Sequence, residues 1–146
     1  PAWSPDGRTI AFLRGSEPVK CSLILLDLAT GKETKLRDLR VWYARYTRNL
    51  SWTADGKWLV FLENGSTGHS VPRLLSPQTG EIRPLMAAPA KAEYLQPAIS
   101  PDGRSLAYLV DDLQSQHIWV QPLSADYSPV GEPRMIAPGK FPAWLP

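Results

Sequence analysis

The chain has 146 residues, of which 43% are hydrophobic and 21% are charged, a composition typical of one globular domain and not of a disordered chain. The formal net charge is only +2, so a dedicated nucleic-acid-binding protein is not expected. The 10 glycines and 15 prolines leave little room for long helices and favour a turn-rich β protein. No stretch approaches 18 consecutive apolar residues, so no membrane span is predicted.

A single cysteine, Cys21, means that no internal disulfide can form. It lies in the apolar stretch CSLILLDL, where a buried, unreactive thiol is expected. The chain begins at Pro1, within a sequence motif and without an initiator methionine. We therefore expect it to be part of a longer polypeptide.

An internal repeat is the main feature of the sequence. The stretch PAWSPDGRTIAFL from Pro1 returns as LSWTADGKWLVFL from Leu50 and as QPAISPDGRSLAYL from Gln96, and FPAWLP from Phe141 begins a fourth copy. The copies recur roughly every 45 to 49 residues, and periods in the forties with several short strands per unit predict propeller blades.

Each copy begins with a strand that ends at a Ser/Thr-x-Asp-Gly turn. The aspartate can accept hydrogen bonds from nearby backbone N–H groups, and the glycine can adopt the left-handed conformation that closes a hairpin with a bulge. We interpret the repeated carboxylates as turn caps and not as a ring of ligands. The residues predicted to have this structural role are Asp6, Gly7, Asp55, Gly56, Asp102 and Gly103.

Three further strands follow in each copy. They read TIAFLR, SLILLDL and KETKL in the first, WLVFLE, SVPRLLS and EIRPL in the second, and SLAYLV, HIWVQPL and EPRMI in the third. Pro72 weakens SVPRLLS as a central strand, because proline has no backbone N–H. The predicted fold is all-β, a partial β-propeller of three four-stranded antiparallel blades. The blades are expected at about 1–37, 50–86 and 97–137, with one extra strand at 141–146.

The order PAWSPDG, IAF, an apolar strand ending in Asp, TG and a short strand resembles the WD-like propeller repeat of the TolB family. The resemblance is close over 1–36 and also covers 50–85 and 97–136. That repeat occurs in periplasmic TolB, in propellers beside prolyl-oligopeptidase-type catalytic domains, and in sensor regions of winged-helix regulators. The resemblance therefore implies the fold and leaves the function open. It favours a periplasmic location, or a cytoplasmic one if the chain belongs to a regulator.

Three blades do not close a ring, since propellers usually have about four to eight. Either the chain is part of a larger single-chain propeller, or two copies associate as a homodimer that completes a six-bladed ring. In the second case FPAWLP could pair with the first blade of the partner.

The two ends of the blades differ in sequence. Because successive strands of a blade run in opposite directions, the PDG and TG turns lie on one face of the propeller, here called the turn face. The second turn of each blade and the links between blades fall on the opposite face, here called the link face. Loops on a rigid scaffold often carry binding, so the link face and the channel mouth form the candidate site. The link-face segments are 14–20, 37–49, 63–70, 86–96 and 111–116.

The most distinctive link-face segment is RDLRVWYARYTRN, which alternates arginines with aromatic residues. Both residue types are enriched in the energetic centres of protein interfaces. They could also stack on bases and meet phosphates, although a nucleic acid is the less favoured partner. Alternatively, the aromatic rings pack on blade edges and the arginines face water. The candidate binding residues are Arg37, Arg40, Trp42, Tyr43, Arg45, Tyr46, Arg48, His69 and Tyr94.

No catalytic residue, metal ligand or cofactor is predicted. His69 lies in a glycine-rich loop and His117 begins a strand, but the sequence has no G-x-S-x-G motif for a serine hydrolase. Two histidines and one cysteine do not have metal-ligand spacing. The predicted function is a non-enzymatic module that binds a protein or peptide. The alternatives are a ligand-sensing or oligomerising propeller of a transcriptional regulator, and the gating propeller of a prolyl-oligopeptidase-type serine peptidase that lacks its catalytic domain.

Overall fold

A computed structural model describes residues 1–17, 20–40, 50–64, 69–87, 92–112 and 114–139, without the side chains of 16, 17 and 40. These residues form strands and connecting turns, and they include no helix that is long and apolar enough to cross a membrane. The strands are β1 (Ala2–Trp3), β2 (Thr9–Glu17), β3 (Lys20–Asp27), β4 (Glu33–Arg40), β5 (Leu50–Trp52), β6 (Leu59–Asn64), β7 (Ser70–Leu75), β8 (Ile82–Pro84), β9 (Glu93–Ile99), β10 (Ser105–Asp111), β11 (Gln116–Pro122) and β12 (Arg134–Pro138).

The strands form three antiparallel four-stranded sheets, each built from consecutive strands in chain order: β1 to β4, β5 to β8, and β9 to β12. This confirms the predicted all-β fold of three four-stranded blades. The first strands of the blades lie side by side, since β1 contacts β5 and β5 contacts β9. These three inner strands therefore line one wall around a common axis. The extra strand predicted at 141–146 lies outside the described residues.

The Asp-Gly turns are held by short hydrogen bonds. In the first turn, Ser4 Oγ donates to Asp6 Oδ1 at 2.6 Å. Asp6 Oδ1 also accepts from the Arg8 amide at 3.0 Å. Gly7 has a φ of 69°, in the left-handed region where glycine costs least. The other two turns repeat this arrangement, with Thr53 donating to Asp55 and Ser100 donating to Asp102. These bonds lower the pKa of all three carboxyl groups.

The core consists of layers between successive blades. Ala11 and Leu23 of the first blade pack with Leu59 and Phe61 of the second. Val60, between Leu59 and Phe61 in β6, belongs instead to the layer shared with the third blade. Because side chains alternate across a strand, a middle strand covered on both faces must be apolar throughout. This explains the uninterrupted run LVFL of β6, all four residues of which are buried.

Pro72 lies inside β7, an interior strand of the second sheet, where it pairs in register with Leu62. Its carbonyl accepts from the Leu85 amide at 3.0 Å, just beyond the last residue of β8. A residue's N–H and C=O point to the same side of a strand, so the missing N–H faces Leu85, one residue beyond β8, and not β6. β7 therefore pairs with β6 along its whole length despite the proline.

Several strands reach into segments expected to be irregular. In the segment 14–20, β2 extends to Glu17 and β3 starts at Lys20, with a shift of register after Arg14. The third sheet starts at Glu93, four residues before the predicted blade, and its register shifts between Ala107 and Leu109. β-Bulges of this kind absorb an extra residue and let a strand continue past a break in the alternating pattern.

Candidate functional site

Two polar clusters lie at the boundaries between blades. The first joins β4 of the first blade to β6 and β7 of the second. The second joins the start of β7 to the start of β9 in the third blade. Each includes a contact across a boundary between blades, from Arg37 to Glu63 in the first and from Glu93 to His69 and Ser70 in the second.

The first cluster, here called the Arg–Glu–Arg cluster, consists of Arg37, Glu63 and Arg73. Glu63 Oε2 lies 2.9 Å from Arg73 Nε, and Glu63 Oε1 lies 3.5 Å from Arg37 Nη2. The side chain of Glu63 is 19% exposed and that of Arg37 is 40% exposed. One carboxylate between two guanidinium groups leaves a net positive charge. The longer contact and greater exposure of Arg37 leave much of its guanidinium facing solvent.

The second cluster, here called the His–Glu clasp, consists of His69, Ser70 and Glu93. Glu93 Oε1 lies 2.8 Å from His69 Nδ1, and Glu93 Oε2 accepts from the Ser70 amide at 2.8 Å. Ser70 is buried, whereas the His69 side chain is 32% exposed. The carboxylate therefore connects two blades and orients the imidazole through Nδ1. The other ring nitrogen, Nε2, lies on the edge of the ring away from this contact.

Tyr94 follows the clasp but faces the core. Its ring packs edge-on against Tyr108, with centroids 5.2 Å apart and an interplanar angle of 65°. Burial raises the pKa of its hydroxyl group. The ring contributes to packing between the second and third blades. A direct role of Tyr94 in binding stays a prediction.

Two of the predicted binding residues have partly exposed side chains at blade boundaries. Arg37 lies within β4, not in the irregular link predicted to begin there, and His69 directly precedes β7. Apart from Tyr94, the remaining candidates fall wholly or partly outside the described residues. The backbone of Arg40 ends β4, but its side chain lies outside the described residues, as do Trp42, Tyr43, Arg45, Tyr46 and Arg48.

Sequence reasoning missed the partners of these side chains, namely Glu63, Arg73 and Glu93. A weak signal existed, because Glu63 ends the apolar run WLVFLE and Glu93 precedes the first strand of the third copy. A charged residue at a strand end is common, however, and its partner comes from another strand. The pair His69 and Glu93 is separated by 24 residues.

The turn face has a different character. Its aspartates are engaged by their own turns, as shown by Asp6 with Ser4 and by Asp27, whose Oδ1 accepts from the Thr30 amide and hydroxyl at 2.8 Å. Hydrogen bonds from Ser124 and Ser128 lower the pKa of Asp126 to about 2. These carboxylates stabilise tight turns and are already satisfied as acceptors.

A groove of about 470 Å³ runs along the channel wall formed by β1, β5 and β9. Its lining residues carry no charged side chains and include Trp3, Trp52 and Gln96. Gln96 has a φ of 52°, which is rare for a residue other than glycine, and is 4% exposed. Within the described residues its Oε1 has no hydrogen-bond partner. The channel mouth is part of the predicted site, but Gln96 is not among the predicted binding residues.

One Asp, Ser and His arrangement occurs locally in the third blade but lacks the geometry of a catalytic triad. Ser115 Oγ donates to Asp112 Oδ1 at 3.0 Å and lies 3.3 Å from His117 Nδ1. In a triad the carboxylate holds the histidine and the histidine activates the serine. Here the carboxylate instead accepts from the serine and caps the turn. Among the described residues no group of three or more His, Cys, Asp or Glu side chains is arranged to hold a metal ion.

Two curated proteins are similar to this chain, one a TolB homolog and the other a peptidase. The protein TolB homolog of Chlamydia pneumoniae is 24% identical over 143 residues, which is 88% of this chain and 33% of that protein. The uncharacterized peptidase YuxL of Bacillus subtilis (strain 168) is also 24% identical over 143 residues, with 74% of this chain and 21% of that protein covered. No family model matches the chain. The chain thus spans only about a third and a fifth of the length of these two relatives.

Similar solved structures include both a TolB protein and a peptidase, and also an oligogalacturonate lyase. A putative TolB from Agrobacterium tumefaciens aligns with 98% of this chain and 52% of its own, at a TM-score of 0.69 and 19% identity. This chain has a TolB-like β-propeller fold, present in part. A prolyl endopeptidase structure aligns with 94% of the chain and 21% of its own, at a TM-score of 0.66 and 17% identity. At these identities the TolB-like likeness concerns the fold alone.

Removing the carboxylate of the His–Glu clasp should destabilise the protein more than removing its imidazole. We expect Glu93→Ala to lower the free energy of unfolding by about 1–3 kcal/mol, because the buried Ser70 amide loses its acceptor. His69→Ala should cost less than about 1 kcal/mol, since its contact is partly exposed. Equilibrium urea unfolding of both variants measures the difference. An equal or larger loss for His69→Ala would contradict the role assigned to Ser70.

Proposed function

We propose that the chain is a non-enzymatic β-propeller module that binds a protein or peptide through its link face. The observation that carries this proposal is the difference between the two faces. Carboxylates of the turn face are engaged in their own turns, whereas the link face presents the partly exposed Arg37 and His69 at blade boundaries. Residues placed by a rigid scaffold and left exposed to solvent are suited to recognition.

The chemistry of the Arg–Glu–Arg cluster favours a partner that brings a carboxylate. Glu63 lies within 2.9 Å of Arg73 but 3.5 Å from Arg37. An acidic side chain of a partner could therefore make a shorter, two-pronged contact with Arg37 without displacing the Arg73 pair. The aromatic candidates Trp42, Tyr43 and Tyr46 follow β4 in sequence and are proposed as apolar anchors beside this charge.

The docking proposal is tested by comparing variants of the two faces. We expect Arg37→Ala combined with His69→Ala to weaken partner capture roughly tenfold or more, because truncating interface centres commonly costs more than 1 kcal/mol each. The matched control is Arg8→Ala combined with Lys32→Ala, which removes two exposed cations from the turn face. Capture from an extract of the source organism, quantified by mass spectrometry, gives the readout.

Each outcome either supports or contradicts docking on the link face. Loss of the same captured protein by the link-face variant alone supports docking on that face. Equal capture by all three proteins, or loss by the control variant alone, contradicts it. Far-UV circular dichroism and urea unfolding establish that each variant is folded before capture is compared.

The second candidate function is a propeller that gates substrate access to a serine peptidase. It is favoured by the likeness to the peptidase YuxL and to a prolyl endopeptidase structure. A fluorophosphonate probe applied to the natural polypeptide separates the two functions. Covalent labelling of a serine would support the gating function, and its absence with an intact, folded polypeptide would support the docking module.

A further inference from the structure

A long loop distinguishes the third blade from the other two. Residues 123–133 join its third and fourth strands, whereas residues 28–32 make this connection in the first blade and residues 76–81 in the second. The added length lies mainly in residues 123–131, here called the strap. Compact loops longer than a tight turn often do more than connect two strands. The strap contacts the second blade at two points.

The strap has a fixed shape of its own. Asp126 accepts hydrogen bonds from the hydroxyl groups of Ser124 and Ser128, the latter at 2.9 Å. At the base of the strap, Gln121 is 4% exposed, and its Nε2 donates to the carbonyl oxygen of Val130 at 3.1 Å. A loop that is already ordered by such bonds loses little further conformational freedom when it packs against another element.

Asp126 makes the first contact with the second blade, through Arg83 of β8. Arg83 Nη2 donates to the carbonyl oxygen of Asp126, and Arg83 Nη1 lies 3.8 Å from Asp126 Oδ2. The guanidinium also lies 4.3 Å from the centre of the Trp58 ring, which belongs to the same blade as Arg83. A cation over an indole ring is attracted to it, so Trp58 holds the guanidinium in position for the strap.

Tyr127 makes the second contact. Its side chain is 9% exposed and belongs to the buried cluster that contains Val60 and Leu74 of the second blade. Burial and the neighbouring carboxylate of Asp55, in the Asp-Gly turn of the second blade, raise the pKa of the Tyr127 hydroxyl group. The φ of Tyr127 is 65°, a backbone conformation that persists only where the surrounding contacts compensate for its cost.

The boundary between the first and second blades is built differently. The corresponding turn of the second blade closes on itself, since the Gly80 amide donates to the Ser76 carbonyl at 2.9 Å and no atom lies within 4 Å of the place where a Gly80 Cβ would be. Polar contacts across this boundary include the bond from Trp52 Nε1 to the Ala2 carbonyl at 3.2 Å and the 3.5 Å contact in the Arg–Glu–Arg cluster. Apolar packing supplies the rest, and it is not directional.

We propose that the strap latches the second and third blades into one rigid unit, and that the propeller flexes between the first and second blades. The bonds of Arg83 with Asp126 must break, and Tyr127 must leave its site, before the third blade can turn away from the second. Opening of the other boundary disturbs neither contact. The His–Glu clasp therefore lies within the rigid unit, whereas the Arg–Glu–Arg cluster lies where the blades move.

The reaction rate of a thiol at each boundary tests the proposal, because a buried thiol is modified when its surroundings open. Cys21 packs against the layer between the first and second blades. Ser70, also at the start of the third strand of its blade, is buried at the boundary with the third blade. Ser70→Cys in a Cys21→Ser background places a single thiol there. We expect Arg83→Ala combined with Tyr127→Phe to raise the rate at position 70 at least about tenfold and to leave the rate at Cys21 unchanged.

Lys35→Ala is the matched control, since it removes an exposed cation from the outer strand of the first blade and should change neither rate. Urea unfolding of every variant gives the rate that global unfolding alone would allow. In the otherwise unchanged protein, Cys21 should react faster than this limit and the thiol at position 70 should not exceed it. The opposite order overturns the flexing boundary. An unchanged rate at position 70 in the strap variant, or equal acceleration at both positions, overturns the latch.

Discussion

Replacing Phe61 with alanine should lower the free energy of unfolding by about 3–5 kcal/mol. The ring is 0% exposed and lies at the centre of the layer between the first and second blades, against Ala11, Leu23 and Leu75. Strands on both sides hold the surrounding side chains, so the cavity cannot close by a local shift. The loss should therefore lie within the range measured for buried aromatic residues and not below it.

Urea unfolding followed by tryptophan fluorescence and by far-UV circular dichroism measures this loss. Phe61→Leu is the matched control and should cost less, because leucine leaves a smaller cavity and no polar group. Coincident transitions with the two probes would show that the blades unfold together. A loss below about 1 kcal/mol for Phe61→Ala would mean that the layer between blades does not hold them together.

Replacing Gly103 with valine should be the most damaging single change in the Asp-Gly turns. Gly103 has a φ of 74°, and a Cβ atom there would lie 3.2 Å from Cε1 of Tyr127. Tyr127 is itself buried and has a φ of 65°, so its ring has little freedom to move aside. Valine therefore meets two separate obstacles, the left-handed backbone and the ring.

Gly7 is the matched position because it has the same backbone conformation, with a φ of 69°, and nothing within 4 Å of the added Cβ atom. We expect Gly7→Val to cost about 1–2 kcal/mol for the left-handed backbone. Gly103→Val should cost about 1–3 kcal/mol more, as overpacking of a buried contact usually does. Thermal and urea unfolding of the two variants give the comparison, and equal losses would contradict the contact with Tyr127.

The parts of the fold that were predictable depend on short-range interactions. The bond from Ser4 Oγ to Asp6 and the left-handed Gly7 involve residues within one turn, so the local sequence is sufficient to predict them. The same holds for the alternating and continuous apolar runs that predict strands. Repetition of these local patterns at a period in the forties then predicts blades.

The start of the third sheet was not predictable from these patterns. β9 begins at Glu93, and its pairing with β10 is interrupted by a bulge close to Gln96. An extra residue in a strand moves the following side chains to the other face, which removes the alternation that sequence reasoning depends on. The QP dipeptide at Gln96 indicates a break in the pattern but not that strand pairing continues before it.

The candidate site shows a similar division. His69, directly before β7, lies at the end of a strand as its place in the repeat predicts, whereas Arg37 lies within β4 and not in the link predicted to begin there. Their partners Glu63 and Glu93 could not be predicted, since those contacts depend on how one blade is turned against the next. A charged side chain is long enough to reach several carboxylates, and the sequence does not identify which of them is its partner.

The amino-acid sequence alone was sufficient to determine the all-β blades and their Asp-Gly turns, because each depends on neighbouring residues in the chain. Only the tertiary structure decided which side chains are covered. Phe12 and Phe61 occupy the same place in successive repeats, yet Phe61 is fully buried and Phe12 is only half-buried. The difference arises because burial is determined by the blade that packs against a residue and not by the residue itself.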